Sequence, residues 1–123
     1  MSQDKIKLGI SGESFAHDIL LKQGYKILET NYRSYFGEID VICVQGDTIV
    51  FVEIKCRSNV LFGYPFESVT KKKIKKIIKT GIIYLQNCKN SNRPVRVDIV
   101  SIIVSASGAL ESYEILRNVS EEF

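Results

Sequence analysis

The chain has 123 residues, 45% hydrophobic and 25% charged, with a mean hydropathy near zero and a net charge of +3. This is too apolar for a disordered chain and suits one domain spanning residues 1–123. Its longest apolar runs, Ile49-Val50-Phe51-Val52 and Ile82-Ile83-Tyr84-Leu85, fall far short of the roughly 20 residues of a membrane helix.

The N-terminus, Met1 to Lys7, has no apolar run behind it of the kind a secretory signal carries, so a cytoplasmic protein without a membrane association is expected. Cys43, Cys56 and Cys88 are odd in number and lack C-x-x-C spacing, which points to unpaired thiols and to neither a disulfide framework nor a zinc site.

Taken in chain order, a helix is predicted from about Ser11 to Gln23, with Phe15, Ala16, Ile19 and Leu20 at helical spacing and Gly24 as its stop. Tyr25 to Arg33 reads as a strand, and Gly37 to Val44 as a second. A Gln45-Gly46-Asp47 turn leads into a third strand, Thr48 to Cys56. A loop through Gly63 and Pro65 precedes a long helix from about Ser68 to Gln86. Its expected buried stripe is Val69, Ile74, Ile77, Ile78, Ile82 and Leu85. After a polar loop, Asn87 to Pro94, two strands follow, Val95 to Val104 and Leu110 to Leu116. The order α-β-β-β-α-β-β implies an α/β domain, a mixed central sheet flanked by helices.

The third strand carries the chemistry. Val50, Val52, Ile54 and Cys56 alternate with Ile49, Phe51, Glu53 and Lys55, so both faces begin apolar, as in a central strand. Glu53 and Lys55 break that pattern. In the second strand Ile39, Val41 and Cys43 share one face, and Glu38, Asp40, Ile42 and Val44 the other. A hairpin turning at Gly46 brings Asp40 beside Glu53, within one residue of register. Two adjacent half-buried carboxylates repel each other and lose hydration, so something must compensate them. One account is a buried ion pair with Lys55. The other is a divalent cation, because one or two carboxylates, waters and substrate phosphates suit Mg2+. Glu13 falls on the apolar stripe of the first helix and would be a third acid facing the sheet. Alternatively, Ser11 or Gly12 caps that helix and Glu13 only complements its positive end. His17 reads as structural.

Charge is unevenly spread. Residues 55–96 carry eleven basic groups against the single acid Glu67, a net +10, while residues 1–54 sum to −3 and residues 97–123 to −4. Such a block suits a polyanion, although a solvated lysine face would look the same. Lys71, Lys72 and Lys73 crowd the first turns of the long helix, where cations oppose the helix dipole, which favours phosphate binding. Lys75, Lys76 and Lys79 continue the basic surface. Arg57 shares the alternation of Lys55 and suits a forked phosphate contact or a surface ion pair.

Glu13, then Asp40, then Glu53-x-Lys55 resembles the PD-(D/E)xK nuclease constellation. Most of the chain, roughly residues 9–104, resembles the YraN-like family of bacterial proteins with an endonuclease-type fold. The resemblance rests on Gly12-Glu13-Ser14-Phe15-Ala16, Asn31-Tyr32-Arg33, Gly37-Glu38-Ile39-Asp40-Val41-Ile42 and Val50-Phe51-Val52-Glu53-Ile54-Lys55-Cys56-Arg57. Phe62-Gly63-Tyr64-Pro65, Val69 with Lys73, and Arg96-Val97-Asp98-Ile99-Val100 complete it. It implies a restriction-endonuclease-like sheet, as in archaeal Holliday-junction resolvases, and an Mg2+-dependent endonuclease (Mn2+ as substitute) acting on branched DNA. Asp40, Glu53 and the Ile54 carbonyl would hold the metal, Lys55 would position or deprotonate the attacking water, and Glu13 would complete the site. Lys73 matches a lysine of the family and is expected to approach this site. The alternative is a catalytically silent nucleic-acid-binding module. Resolvase-like proteins are commonly dimers, so a homodimer is open. Gly81 stands where the family often has Ala, which marks close packing of the long helix.

Overall fold

The computed structural model describes residues 3–61, 63–88 and 92–122, with the side chains of residues 3–11 and 121–122 outside the description. Phe62 and the centre of the polar loop at residues 89–91 therefore lie outside the described residues. The elements are α1 (Gln3–Lys22), β1 (Lys26–Ser34), β2 (Gly37–Gln45), β3 (Thr48–Arg57), a 3-10 turn (Pro65–Ser68), α2 (Lys71–Gln86), β4 (Val95–Val104), β5 (Leu110–Leu116) and a second 3-10 turn (Val119–Glu122). The expected α-β-β-β-α-β-β order holds. The five strands form one mixed sheet in the order β1-β2-β3-β4-β5. Neighbours are antiparallel except β3 and β4, which run parallel. Parallel strands need a crossover, and α2 supplies it.

Two apolar clusters sandwich the sheet. Ala16, Ile19 and Leu20 of α1 pack on Val41, Cys43, Val50, Val52, Val100 and Ile102. Ile77 of α2 packs on Ile42, Ile49, Phe51 and Val97 from the other side. The alternation read in β3 is thus realised, with Phe51 under α2 and Val52 under α1. Gly81 explains how α2 comes so close: a Cβ there would lie 2.2 Å from the Phe51 ring.

Three expectations need correction. Helix α1 begins at Gln3, so Ser11 and Gly12 lie in its interior and cap nothing, and Glu13 is remote from the helix's positive end. Gly12 is instead a contact position, because a Cβ there would sit 2.9 Å from Cys56 Cβ. Helix α2 begins at Lys71, not Ser68, with Thr70 as N-cap accepting from the Lys73 N–H at 3.1 Å. Val69 is consequently extended and outside the helix, and Ile82 is exposed, so neither joins the buried stripe. Finally, Ile39 packs with Ile42 and Phe51 rather than with Val41 and Cys43. That break in alternation coincides with Asn31 in β1, held at φ 52 between the pairs Thr30↔Val41 and Tyr32↔Ile39.

All three cysteines are free. Burial pushes the Cys43 thiol up to about 12, which keeps it a neutral, inert core group. Among the described residues, no helix is long and apolar enough to cross a membrane.

Candidate functional site

The site forms where β2 parts from β3. Their ladder runs from Gln45↔Thr48 to Val41↔Val52 and stops, while β3 goes on pairing with β4 as far as Arg57↔Ile103. One further step in that register would pair Asp40 with Glu53. Instead, the Ile54 amide, which has lost its partner on β2, donates to Asp40 Oδ2 at 2.8 Å. A backbone donor freed by strand divergence thus fixes the Asp40 carboxylate beside Glu53.

Glu53 is 4% exposed, on the face covered by α2. Its carboxyl is raised from 4.5 to about 8, chiefly by burial, then by the charge of Asp40 and a hydrogen bond with it. Lys73 and Lys55 oppose that rise without cancelling it. At neutral pH the Glu53 carboxyl therefore favours its protonated form. Lys73 Nζ stands 3.6 Å from Glu53 Oε2, an electrostatic contact too long for a hydrogen bond, and Oε2 is buried with no hydrogen-bond partner. The fold thus buries a carboxyl oxygen without a hydrogen-bond partner beside a second carboxylate. Asp40 and Glu53 supply hard oxygen donors, so the residues fit a hard divalent cation completed by waters and phosphate.

Lys55 is half-buried and lies beside Ser101 in the parallel register. A pocket of about 450 Å³ adjoins it on the same face, floored by Ser101, Ile103, Ser112 and Glu114 and walled by Tyr64 and Phe66. Arg57 Nη1 donates to the Gly63 carbonyl at 3.4 Å, which ties the strand to the following loop.

Asp40, Glu53, Ile54, Lys55 and Lys73 therefore meet in one place. Glu13 does not join them. It is exposed, and α1 packs on the sheet face opposite to Glu53. Among the described residues no three His, Cys, Asp or Glu side chains gather as a metal-holding group. Lys71, Lys72, Lys75, Lys76 and Lys79 are exposed along α2, which has no acid in its first turn. Thr70, which orders the turn presenting Lys73, escaped a reading that began the helix at Ser68, although a threonine just before a periodic run is an N-cap signal. The turn at Tyr35 and Phe36, two exposed aromatics beside α2, carried no pattern that sequence reading would single out.

A second buried acid lies in the adjacent strand. Asp98 accepts from the Tyr25 hydroxyl at 2.7 Å, from Arg96 Nε at 3.0 and 3.2 Å, and from the Asn118 N–H at 2.9 Å. Arg96 also donates to Gln45, and Arg117 donates to the Tyr25 hydroxyl.

The sequence model of the uncharacterised protein family UPF0102 matches residues 12–102. Similar proteins, each described as a UPF0102 protein, include one from Dictyoglomus turgidum, 42% identical over 91% of this chain and 95% of its own length. Another from Clostridioides difficile is 49% identical over 76% of this chain and 82% of its own. One from Persephonella marina is 46% identical over 77% and 82%. The matched span includes Asp40, Glu53, Lys55 and Lys73 and stops short of β5.

Proposed function

The chain belongs to the UPF0102 family, the YraN-like family of the restriction-endonuclease-like superfamily, and we propose that it is a metal-dependent endonuclease hydrolysing phosphodiester bonds in branched DNA. The observation that carries this reading is the buried, unpartnered Oε2 of Glu53 beside Asp40. Leaving a carboxylate unsatisfied costs several kcal/mol unless a ligand repays it in function.

Asp40, Glu53 and the carbonyl of Ile54 would hold Mg2+, or Mn2+ in its place. Bound there, such a cation would supply positive charge next to the scissile phosphate and lower the pKa of a neighbouring water. The Ile54 amide keeps Asp40 in its orientation, so the donors are preorganised. Lys55 is the ammonium that positions the attacking water or neutralises the phosphate. Lys73, 3.6 Å from Glu53 Oε2, favours the charged form of that carboxyl and would offer an ammonium to a phosphate bound there. Glu13, being exposed, acts at most through solvent. Exposed lysines on α2 grip the backbone without reading sequence.

The test is cleavage of a panel of duplex, splayed-arm and four-way DNA with Mg2+ or Mn2+, beside Asp40→Asn and Glu53→Gln. Loss of cleavage in both variants with DNA binding retained supports the proposal; equal cleavage by wild type and both variants contradicts it. The Lys73 contact favours one second reading, a silent binding module in which the ammonium permanently occupies the place of the metal. Binding without cleavage in either metal would establish that reading.

A further inference from the structure

The β1–β2 turn spends two aromatics where a two-residue hairpin ordinarily uses Asn-Gly or Gly-X. Ser34 pairs with Gly37, leaving Tyr35 and Phe36 at the tip, 96% and 42% exposed. The tip is tied down through Ser34, Phe36 and Gly37. The Phe36 N–H donates to Ser34 Oγ at 3.1 Å, Ser34 Oγ donates to the buried Thr80 hydroxyl at 3.0 Å, and Gly37 lies against Lys76 and Thr80. The two rings meet edge-to-face at 5.5 Å, and Lys79 Nζ sits 5.5 Å from the Phe36 centroid. Glu38, the acid beside the turn, is paired with Arg33 at 3.5 Å. The result is a rigid aromatic edge pinned to a helix with six lysines and no acid. Gly37 is three residues from Asp40, about 10 Å at strand spacing, and Phe36 and Tyr35 stand one and two residues beyond it.

From this we infer that Tyr35 and Phe36 form a stacking platform for an unpaired base, with Lys76 and Lys79 holding the flanking phosphates. The inference deepens the proposed function and rests on its nucleic-acid surface: the tip is what distinguishes a branch or frayed end from continuous duplex. Aromatic faces accept any base, and each such stack contributes a roughly 5- to 150-fold gain in affinity. A flush duplex offers the tip no free base face.

The experiment measures binding in EDTA, so that no cleavage intervenes. The probes are a splayed-arm DNA with 2-aminopurine at the first unpaired position and the matching duplex. Wild type is expected to quench 2-aminopurine and to prefer the splayed arm. Tyr35→Ser should weaken splayed-arm binding about tenfold and abolish the quenching, with duplex affinity within about twofold; Tyr35→Trp should restore both. Tyr35 is nearly fully exposed, so these changes leave the fold intact. Equal loss on both DNAs, unchanged preference, or a Tyr35-dependent dimer in sedimentation would overturn the inference. If neither metal supports cleavage yet Tyr35→Ser removes the preference, the nuclease reading falls and the platform stands. If cleavage is metal-dependent but the preference survives Tyr35→Ser, the platform falls alone.

Discussion

Asp98 and Glu53 are buried acids on adjacent parallel strands, one register step apart, since Asp98 pairs with Val52 and Glu53 with Ile99. They face opposite sides of the sheet. On the α1 side Asp98 receives Tyr25, Arg96 and the Asn118 amide, with Arg117 behind Tyr25, and every oxygen is satisfied. On the α2 side Glu53 keeps one oxygen without a donor and a carboxyl raised to about 8. Depth in the sheet therefore does not decide whether a buried acid has its hydrogen bonds filled. The same fold completes one hydrogen-bond shell and leaves the other open, and the open one stands beside a second carboxylate and two lysines.

If Asp98 is the structural member of this pair, removing it should be the most damaging change. Asp98→Ala strands the Tyr25 hydroxyl, Arg96 and the Asn118 amide, and should cost about 3–5 kcal/mol in urea unfolding. A loss below about 1 kcal/mol would dissolve the contrast. On the Glu53 face, two residues before it in β3, lies Phe51, and Gly81→Ala should push on its ring. An overpacking cost of about 1–3 kcal/mol should outweigh the helix-propensity gain of about 1 kcal/mol, and a raised Tm would show that α2 is free to shift.

Glu53 should show itself through pH. Its folded pKa lies above the ordinary value of 4.5, so the folded state binds the extra proton between about pH 4.5 and 8. The contribution to stability is full below pH 4.5 and is lost as pH rises through about 8. Tm should fall across this window in wild type and much less in Glu53→Gln. Mn2+ should restore wild-type Tm at pH 8 and leave Glu53→Gln unmoved. The smallest effect belongs to the exposed lysines. Lys72→Ala with Lys75→Ala should leave Tm unchanged and reduce the log–log salt slope of DNA binding by roughly two; an unchanged slope would mean they only solvate the helix.

Much of this arrangement was legible in the sequence. Asp40 and Glu53 could be placed opposite each other because a hairpin fixes register from its turn, and period-2 alternation assigned both faces of β3. The bounds of β4 and β5 matched the expected residues because Pro94 and Ser107-Gly108 punctuate them. What escaped depended on distant contacts. Gly12 looks like a helix boundary by propensity, yet its missing Cβ serves Cys56, forty-four residues away. Asp98 read only as one position of a motif, because its partners Tyr25 and Asn118 reach it from the far ends of the chain. Glu13 satisfied a helical stripe in sequence, but α1 covers the other face of the sheet. The face of Ile39 depended on the left-handed backbone of Asn31 in the neighbouring strand, which local alternation does not encode.

The central claim is that Asp40 and Glu53 together hold a divalent cation. Anomalous diffraction from crystals soaked in Mn2+ at pH 8 tests it most directly. The expected result is one peak in contact with a carboxylate oxygen of each residue, absent from Glu53→Gln crystals, with Lys73 withdrawn from Glu53. Crystals of wild type that show no peak there, with Lys73 still against the carboxylate at saturating Mn2+, would contradict it.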